Sequence, residues 1–494
     1  MNLYVLVLPI MIPILCGIGI MVFPVKDKKI RNILLELVVI INTILTMFIL
    51  FHAPQGTLSL FSLGDKLVMT LRVDGLAAFF AGIVSCLWPL ATLYAFEYME
   101  HDERTDVFFG FYTITYGVTM GVALSGNIVT MYLFYEALTM VTLPLVIHTM
   151  TKEAKRATRK YLYYMIGGTA FAFIGMVFYV LFSHNMEFKY GGNLNIIALS
   201  SHIHVVHLVY LMAFFGFGVK AAIFPFHGWL PDASVAPTPV TALLHAVAVV
   251  KSGVFAIMRF TYYCFGAEVL KGSWAQRIAL SFAMITIVYA STMGVKETHF
   301  KRRMAYSTVS NLSYILLGVT MMSPLGLLAG MSHMLFHAIM KISGFFCVGA
   351  VMHRAHKEYV YELDGIGLQM PKTMAAFVVS SCSIIGVPLF AGFVSKWKIA
   401  QSLFEGGGTL EYAAVFVLLY SALMTAIYLL TVAVRGFFPD SDALGKMAHE
   451  EEKASDPSWR MLLPLGIFSI AIVFIGIKAE PILTVLKTVA NGVF

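Results

Sequence analysis

Residues 212–255 read MAFFGFGVKAAIFPFHGWLPDASVAPTPVTALLHAVAVVKSGVF. Pro225, Pro231, Pro237 and Pro239 interrupt an otherwise apolar run. Proline breaks a helix interior because it has no N–H and its ring clashes with the preceding turn. The same stretch carries Lys220, His245 and Lys251 among Phe, Ala, Val and Leu. Residues 383–398, SIIGVPLFAGFVSKWK, repeat the pattern: Gly386, Pro388 and Gly392 open a second break beside Lys396. Irregular backbone at membrane depth is tolerated only where protein or a water-filled cavity covers it, and paired breaks point to an inverted-repeat transporter. A structural kink is the plainer reading of either break alone. A lysine beside each one favours a functional reading.

The surroundings are those of a membrane protein. Of 494 residues, 59% are hydrophobic and only 12% charged, where a soluble globular chain carries about 25% charged. Mean hydropathy is +0.81. Such a chain cannot build a soluble surface, which excludes a soluble enzyme, a nucleic-acid binder and a disordered scaffold. The net charge of +7 sits mostly in short loops. Apolar spans of about 20 residues fall at 3–23, 32–52, 74–97, 107–126, 128–150, 161–183, 204–224, 240–262, 278–295, 304–323, 326–351, 373–400, 410–434 and 461–486. This predicts an all-α polytopic bundle of about 14 helices. The loops after odd-numbered spans hold 21 Lys and Arg, against 7 after even-numbered ones. The positive-inside rule then puts the odd loops in the cytoplasm and both termini outside. The apolar stretch before the basic run Lys26–Arg31 reads as a first span, not a cleaved leader. The longest polar stretch, Pro439 to Arg460, reads as a loop of mixed charge.

Within the spans lie Glu136, Lys220, His245, Lys251, His333, His337, Lys341 and Lys396. A lysine at mid-membrane costs at least about 2.5–3.5 kcal/mol. Lys251, Lys341 and Lys396 sit near enough to span ends for their amines to reach headgroups; Glu136 and Lys220 lie deeper. His333, His337 and Lys341 recur every four residues and share one helix face. Desolvation and neighbouring cations let a buried lysine release its proton near neutral pH, so such a stripe reads as a proton relay. A carboxylate at Glu136 near Lys220 would hold that lysine charged, and its neutralisation would release the proton. Sodium needs several oxygen ligands, and only Glu136 offers a carboxylate deep in the membrane. Asp74, Glu97 and Asp232 sit nearer span ends or breaks. Protons are favoured, with backbone carbonyls at the breaks leaving sodium open. Cys16, Cys86, Cys264, Cys347 and Cys382 are scattered without a C-x-x-C pair, and no phosphate-binding G-x-x-x-x-G-K-[ST] run occurs.

At these residues the chain resembles the antiporter-like proton-translocating membrane subunits of respiratory complex I, of Mrp-type Na⁺/H⁺ antiporters and of membrane-bound hydrogenases. The resemblance covers about residues 70–440. Lys220–Val240, KAAIFPFHGWLPDASVAPTPV, is similar to that family's K-x-x-x-x-P-x-H-x-W-L-P-D-A signature, with one residue fewer before A-P-T. KRRMAYSTVSNLSYILLG (301–318), HAIMK (337–341) and GVPLFAGFVSK (386–396) match as well. His299 stands where members often carry Asp before the K-R-x-x-A-Y-S stretch.

The resemblance implies two inverted five-helix repeats, each with one broken helix. On this chain it implies helices 1–3 in 1–106, the first repeat in 107–262, the second in 263–435, and a polar loop with helix 14 in 436–494. It implies that Glu136 and Lys220 couple conformation to protonation, and that Lys251, with His245 nearby, then His333 and His337, lead to Lys396 toward the exit. Partners are expected to be homologous antiporter-like subunits, small membrane subunits and lipid, in a prokaryotic cytoplasmic membrane, with no nucleic acid. No cofactor is expected in this chain, so redox chemistry and iron–sulfur clusters would sit in other subunits. Two alternatives stay open. One is a D-like component of a multisubunit Mrp-type Na⁺/H⁺ antiporter driven by an ion gradient alone. The other is a haem- or quinone-binding oxidoreductase component in which His333 and His337 hold the haem. The last is poorly served by two histidines on one helix face.

Overall fold

A computed structural model describes residues 2–62, 64, 67–441 and 454–493. Lys66, Lys446, Lys453 and most of the polar loop expected after Pro439 lie outside the described residues. The chain is a helical bundle with one small antiparallel hairpin, β1 (Leu58–Ser62) and β2 (Val68–Leu71). Its helices are α1 (Leu8–Val22), α2 (Lys28–His52), α3 (Gly75–Tyr98), α4 (Thr105–Ala123), α5 (Ile128–Val146), α6 (Lys152–Phe182) and α7 (Ile203–Gly218). There follow α8 (Thr238–Ala246), α9 (Val249–Arg259), α10 (Trp274–Lys296), α11 (Phe300–Val319) and α12 (Pro324–Ala355). The chain continues with α13 (Pro371–Ile385), α14 (Ala391–Gly406), α15 (Thr409–Phe437), α16 (Trp459–Ile477) and α17 (Glu480–Ala490).

Among the described residues, eleven helices are long and apolar enough to cross a membrane. Three more expected spans fall on α4, α11 and the split pair α13–α14. These are rich in threonine and glycine, begin on Lys301-Arg302-Arg303, or are cut short by the break. The span expected at 461–486 is two helices, α16 and α17, with a gap after Ile477.

Burial sorts the helices into an inner and an outer set. Every residue in the most apolar window of Thr238–Phe265 is buried, as is 94% of that of α12. Those of α1, α2, α6, α15 and α16 are only about a third buried. Ile33, Phe51, Tyr163, Phe416 and Leu419 face outward from the outer set, as expected where lipid is the solvent. Helix α12 is the axis of the second half: it packs on α3, α8, α11, α13, α14, α16 and α17.

Both breaks lie where the prolines and glycines predicted them, and several of their backbone groups are paired inside the protein, as a membrane favours. After α7 the chain unwinds from Val219 to Pro225 and makes one 3-10 turn, Phe226–Gly228, and the short helix Trp229–Ala233 before α8. There the Ile223 amide donates to the Gly218 carbonyl at 3.0 Å, the Phe224 amide to Thr286 Oγ1 at 2.9 Å, and Trp229 Nε1 to the Val219 carbonyl at 2.8 Å. The second break spans residues 386–390. Gly386 ends α13 at φ +95°, a left-handed cap that side chains resist. The Gly392 amide donates to Ser383 Oγ at 3.0 Å. A further interruption, not foreseen, separates α8 from α9 at Val247–Ala248.

Candidate functional site

Helix α5 carries Tyr135 and Glu136 side by side at one edge of the buried core. Glu136 is half-buried and accepts a hydrogen bond from Thr169 Oγ1 of α6 at 2.8 Å. Lys220 lies in the unwound stretch after α7, 1% exposed. Its ammonium donates to the Tyr135 carbonyl and sits 3.3 Å from the centre of the Tyr135 ring. Among the described ion pairs none joins Glu136 to Lys220; the carboxylate acts on the ammonium across a longer gap. The ammonium thus rests on the carbonyl of the residue that precedes Glu136 in the chain.

Helix α9 brings Lys251 in next. Gly253, half a turn on, makes the approach possible: a Cβ there would lie 2.6 Å from the Ala221 amide nitrogen and 2.9 Å from Lys220 Cβ. Lys251 is fully buried, and its Nζ is 2.8 Å from His337 Nδ1 on α12. One turn back, the His333 ring lies 5.9 Å from that of His337 at an interplanar angle of 28°. His333 uses both nitrogens: Nδ1 is 2.9 Å from Ser395 Oγ and Nε2 is 3.2 Å from Asn311 Oδ1. Ser395 precedes Lys396 on α14. The Lys396 ammonium donates to the Ile384 and Ile385 carbonyls at 2.7 and 3.0 Å, where α13 ends, and lies 4.8 Å from the Tyr314 ring centre. A cation at a helix C-terminus meets the negative end of its dipole.

Two further predicted residues flank this line. Lys341, one turn beyond His337, is fully buried and donates to Ser307 Oγ on α11. His245, in the last turn of α8, packs its ring 4.8 Å from that of Phe345. Lys251 and Lys341 thus point inward and do not reach for headgroups.

The sequence reading missed several members. Tyr135, Thr169, Ser307, Asn311 and Ser395 are common residues whose role comes only from the helix they face. Glu36 on α2 is a second carboxylate within a span, which corrects the expectation that Glu136 stands alone; its Oε2 is buried without a partner among the described residues. Arg259, at the end of α9, is fully buried in a bidentate pair with Asp74, the N-cap of α3, at 2.6 and 2.7 Å. Lys301, in the first turn of α11, is 4% exposed. Among the described residues no three His, Cys, Asp or Glu side chains gather as metal ligands.

Residues 125–425 match the family described as NADH:quinone oxidoreductase/Mrp antiporter, transmembrane. The chain belongs to this family. Residues 61–109 also match the complex I chain 5 N-terminus. It is an integral membrane protein of the antiporter-like class. It is 29% identical over 415 residues to the A/B component of a probable K(+)/H(+) antiporter from Rhizobium meliloti (strain 1021), covering 83% of this chain and 40% of that one. It is 29% identical over 433 residues to NADH-quinone oxidoreductase subunit N of Desulforudis audaxviator (strain MP104C), covering 84% and 83%. It thus spans less than half of the first relative's length and most of the second's. In fold, it is similar to a chain of the archaeal membrane-bound sulfane sulfur reductase, with TM-score 0.85, 22% identity, and 99% and 97% of the two chains covered. It is also similar to a chain of the Mrp complex from Dietzia sp. DQ12-45-1b, with TM-score 0.84, 20% identity, and 100% and 98% covered.

Proposed function

We propose that this chain moves protons along a buried line from Glu136 through Lys220, Lys251, His337 and His333 to Lys396, with His245 and Lys341 feeding it from the side. The observation that carries this reading is the series Lys251–His337 at 2.8 Å, the His337 and His333 rings 5.9 Å apart, and His333–Ser395 at 2.9 Å, with Ser395 next to Lys396 in the chain. Lysine and imidazole exchange protons near neutral pH once burial and neighbouring cations lower their proton affinity. Low dielectric strengthens the coupling between neighbours, so a charge placed at one end biases the next site. A proton arriving at Glu136 removes the negative charge that favours the Lys220 ammonium. Lys220 then releases its proton toward Lys251. Cation–cation repulsion passes the displacement along to Lys396.

The partition at 107–262 and 263–435 as two inverted repeats is supported by a proline- or glycine-marked break in each half, with Lys220 inside one and Lys396 just after the other. The bias of basic loops supports both termini outside a prokaryotic cytoplasmic membrane. Glu136, half-buried at the bundle surface, is placed for a neighbouring membrane subunit to complete its surroundings. The relatives' names support a place in a multisubunit complex, either redox-driven, with iron–sulfur subunits elsewhere, or a gradient-driven antiporter of the Mrp kind. The haem reading is disfavoured because both nitrogens of His333 and one of His337 are already engaged.

The test is Lys220→Ala and Glu136→Ala in the assembled complex, in vesicles with a pH-sensitive dye. Each should lower proton movement at least tenfold with assembly unchanged. Normal transport in both variants defeats the reading.

A further inference from the structure

Residues 200–207, where α7 begins, read SSHIHVVH. His204 and His207 are three apart and stand on one side of the helix. His204 is exposed, whereas His207 is only 8% exposed. Their rings meet edge to face with centres 6.4 Å apart. Trp274, the first residue of α10, closes on His207 from another element, its ring 6.2 Å away. His207 Nε2 lies 3.2 Å from the Val269 carbonyl on the short helix Ala267–Leu270. A carbonyl oxygen only accepts, so the neutral ring carries its proton on Nε2. Its Nδ1 is then a bare lone pair, and that atom is buried without a hydrogen-bond partner among the described residues.

Leaving a buried acceptor unpaired is costly, and such an atom calls for a partner. An imidazole whose N–H is tied to a backbone carbonyl, with its other nitrogen held free, has the orientation of a metal ligand. We propose that His204 and His207 bind one divalent transition-metal ion at the start of α7. Metal–nitrogen bonds of about 2.0–2.1 Å place two imidazoles on one ion with ring centres about 5–6 Å apart. Rotation of the exposed His204 side chain closes the difference. No third His, Cys, Asp or Glu joins the pair among the described residues, so water fills the remaining positions. Imidazole ligands select Zn²⁺, Ni²⁺ or Cu²⁺, whereas Mg²⁺ and Ca²⁺ want oxygen. The charge bias puts this end of α7 outside the cytoplasm. Through His207 and Val269 the ion fastens the first turn of α7 to Ala267–Leu270, and the far end of α7 leads into the unwound stretch with Lys220. The site stands apart from the buried line and does not depend on it.

Calorimetric titration of Zn²⁺ into the whole detergent-solubilised complex tests the pair. The wild type should hold one Zn²⁺ per copy of this chain that both His204→Ala and His207→Gln bind at least tenfold more weakly. Glutamine keeps a donor for the Val269 carbonyl, and sites on other subunits cancel in the comparison. The same isotherm in the wild type and both variants overturns the site and leaves Nδ1 to a buried water. A loss in His204→Ala with none in His207→Gln reduces it to a surface contact of one histidine and overturns the pair. Should His207→Gln fail to assemble, Cu²⁺ decides. The electron paramagnetic resonance difference between the wild type and His204→Ala should show two imidazole nitrogens on the copper, and a single nitrogen overturns the pair. None of these readouts involves transport, so a defeat of the buried line by Lys220→Ala and Glu136→Ala is seen separately.

Discussion

Lys251 and His337 make the tightest test of a single link. Their 2.8 Å contact is the only side-chain hydrogen bond of either residue among the described ones. If protons cross it, Lys251→Ala and His337→Ala each lower transport at least tenfold, and the double variant is no slower than the worse single one, because residues acting as one step are non-additive. Multiplying losses would place the two on separate routes. Which residues were titratable and deep was plain from the sequence, since a Lys or His in an apolar run stands out by its cost. Which hydroxyls and carbonyls complete them was not. Ser395, Asn311 and the Tyr135 carbonyl have the chemistry of hundreds of other atoms, and only the rotation of one helix against another aims them. The half-exposure of Glu136 and the burial of Lys301 were hidden for the same reason.

At the scale of elements, the fit of α9 against the unwound stretch is set by Gly253. A valine there meets the Ala221 backbone, and overpacking costs about 1–3 kcal/mol. Gly253→Val should lower the unfolding temperature of the purified complex and separate Lys220 from Lys251, seen as lost transport; an unchanged melting curve refutes it. The end of α9 is tied to α3 by Arg259 and Asp74. Breaking a buried pair by removing one partner costs about 3–5 kcal/mol. Arg259→Met should therefore destabilise strongly, and Asp74→Asn added to it should recover part of the loss, measured by thermal unfolding. The two proline- and glycine-marked breaks were legible because those residues act locally on the backbone. The gap between α8 and α9 had no such marker in AVAV; it lies within one fully buried span.

For the molecule as a whole, the charge bias makes a statement about sidedness. A tag at either terminus should react with an impermeant reagent from outside intact cells, and a cysteine in the 296–299 loop should not. Composition and span spacing alone determined that this is a polytopic helical membrane protein, that it carries proton-exchanging groups in its interior, and that two of its helices are broken. Those are consequences of what each segment can do by itself: partition into lipid, bend at proline, or resist burial of charge. Tertiary structure alone decided which of these groups stand beside one another, as Lys251 does with His337, and that the Lys220 ammonium rests on the Tyr135 carbonyl. Those depend on distances between helices far apart in the chain, and these are set by the packing of apolar side chains that carry no mark of their partners.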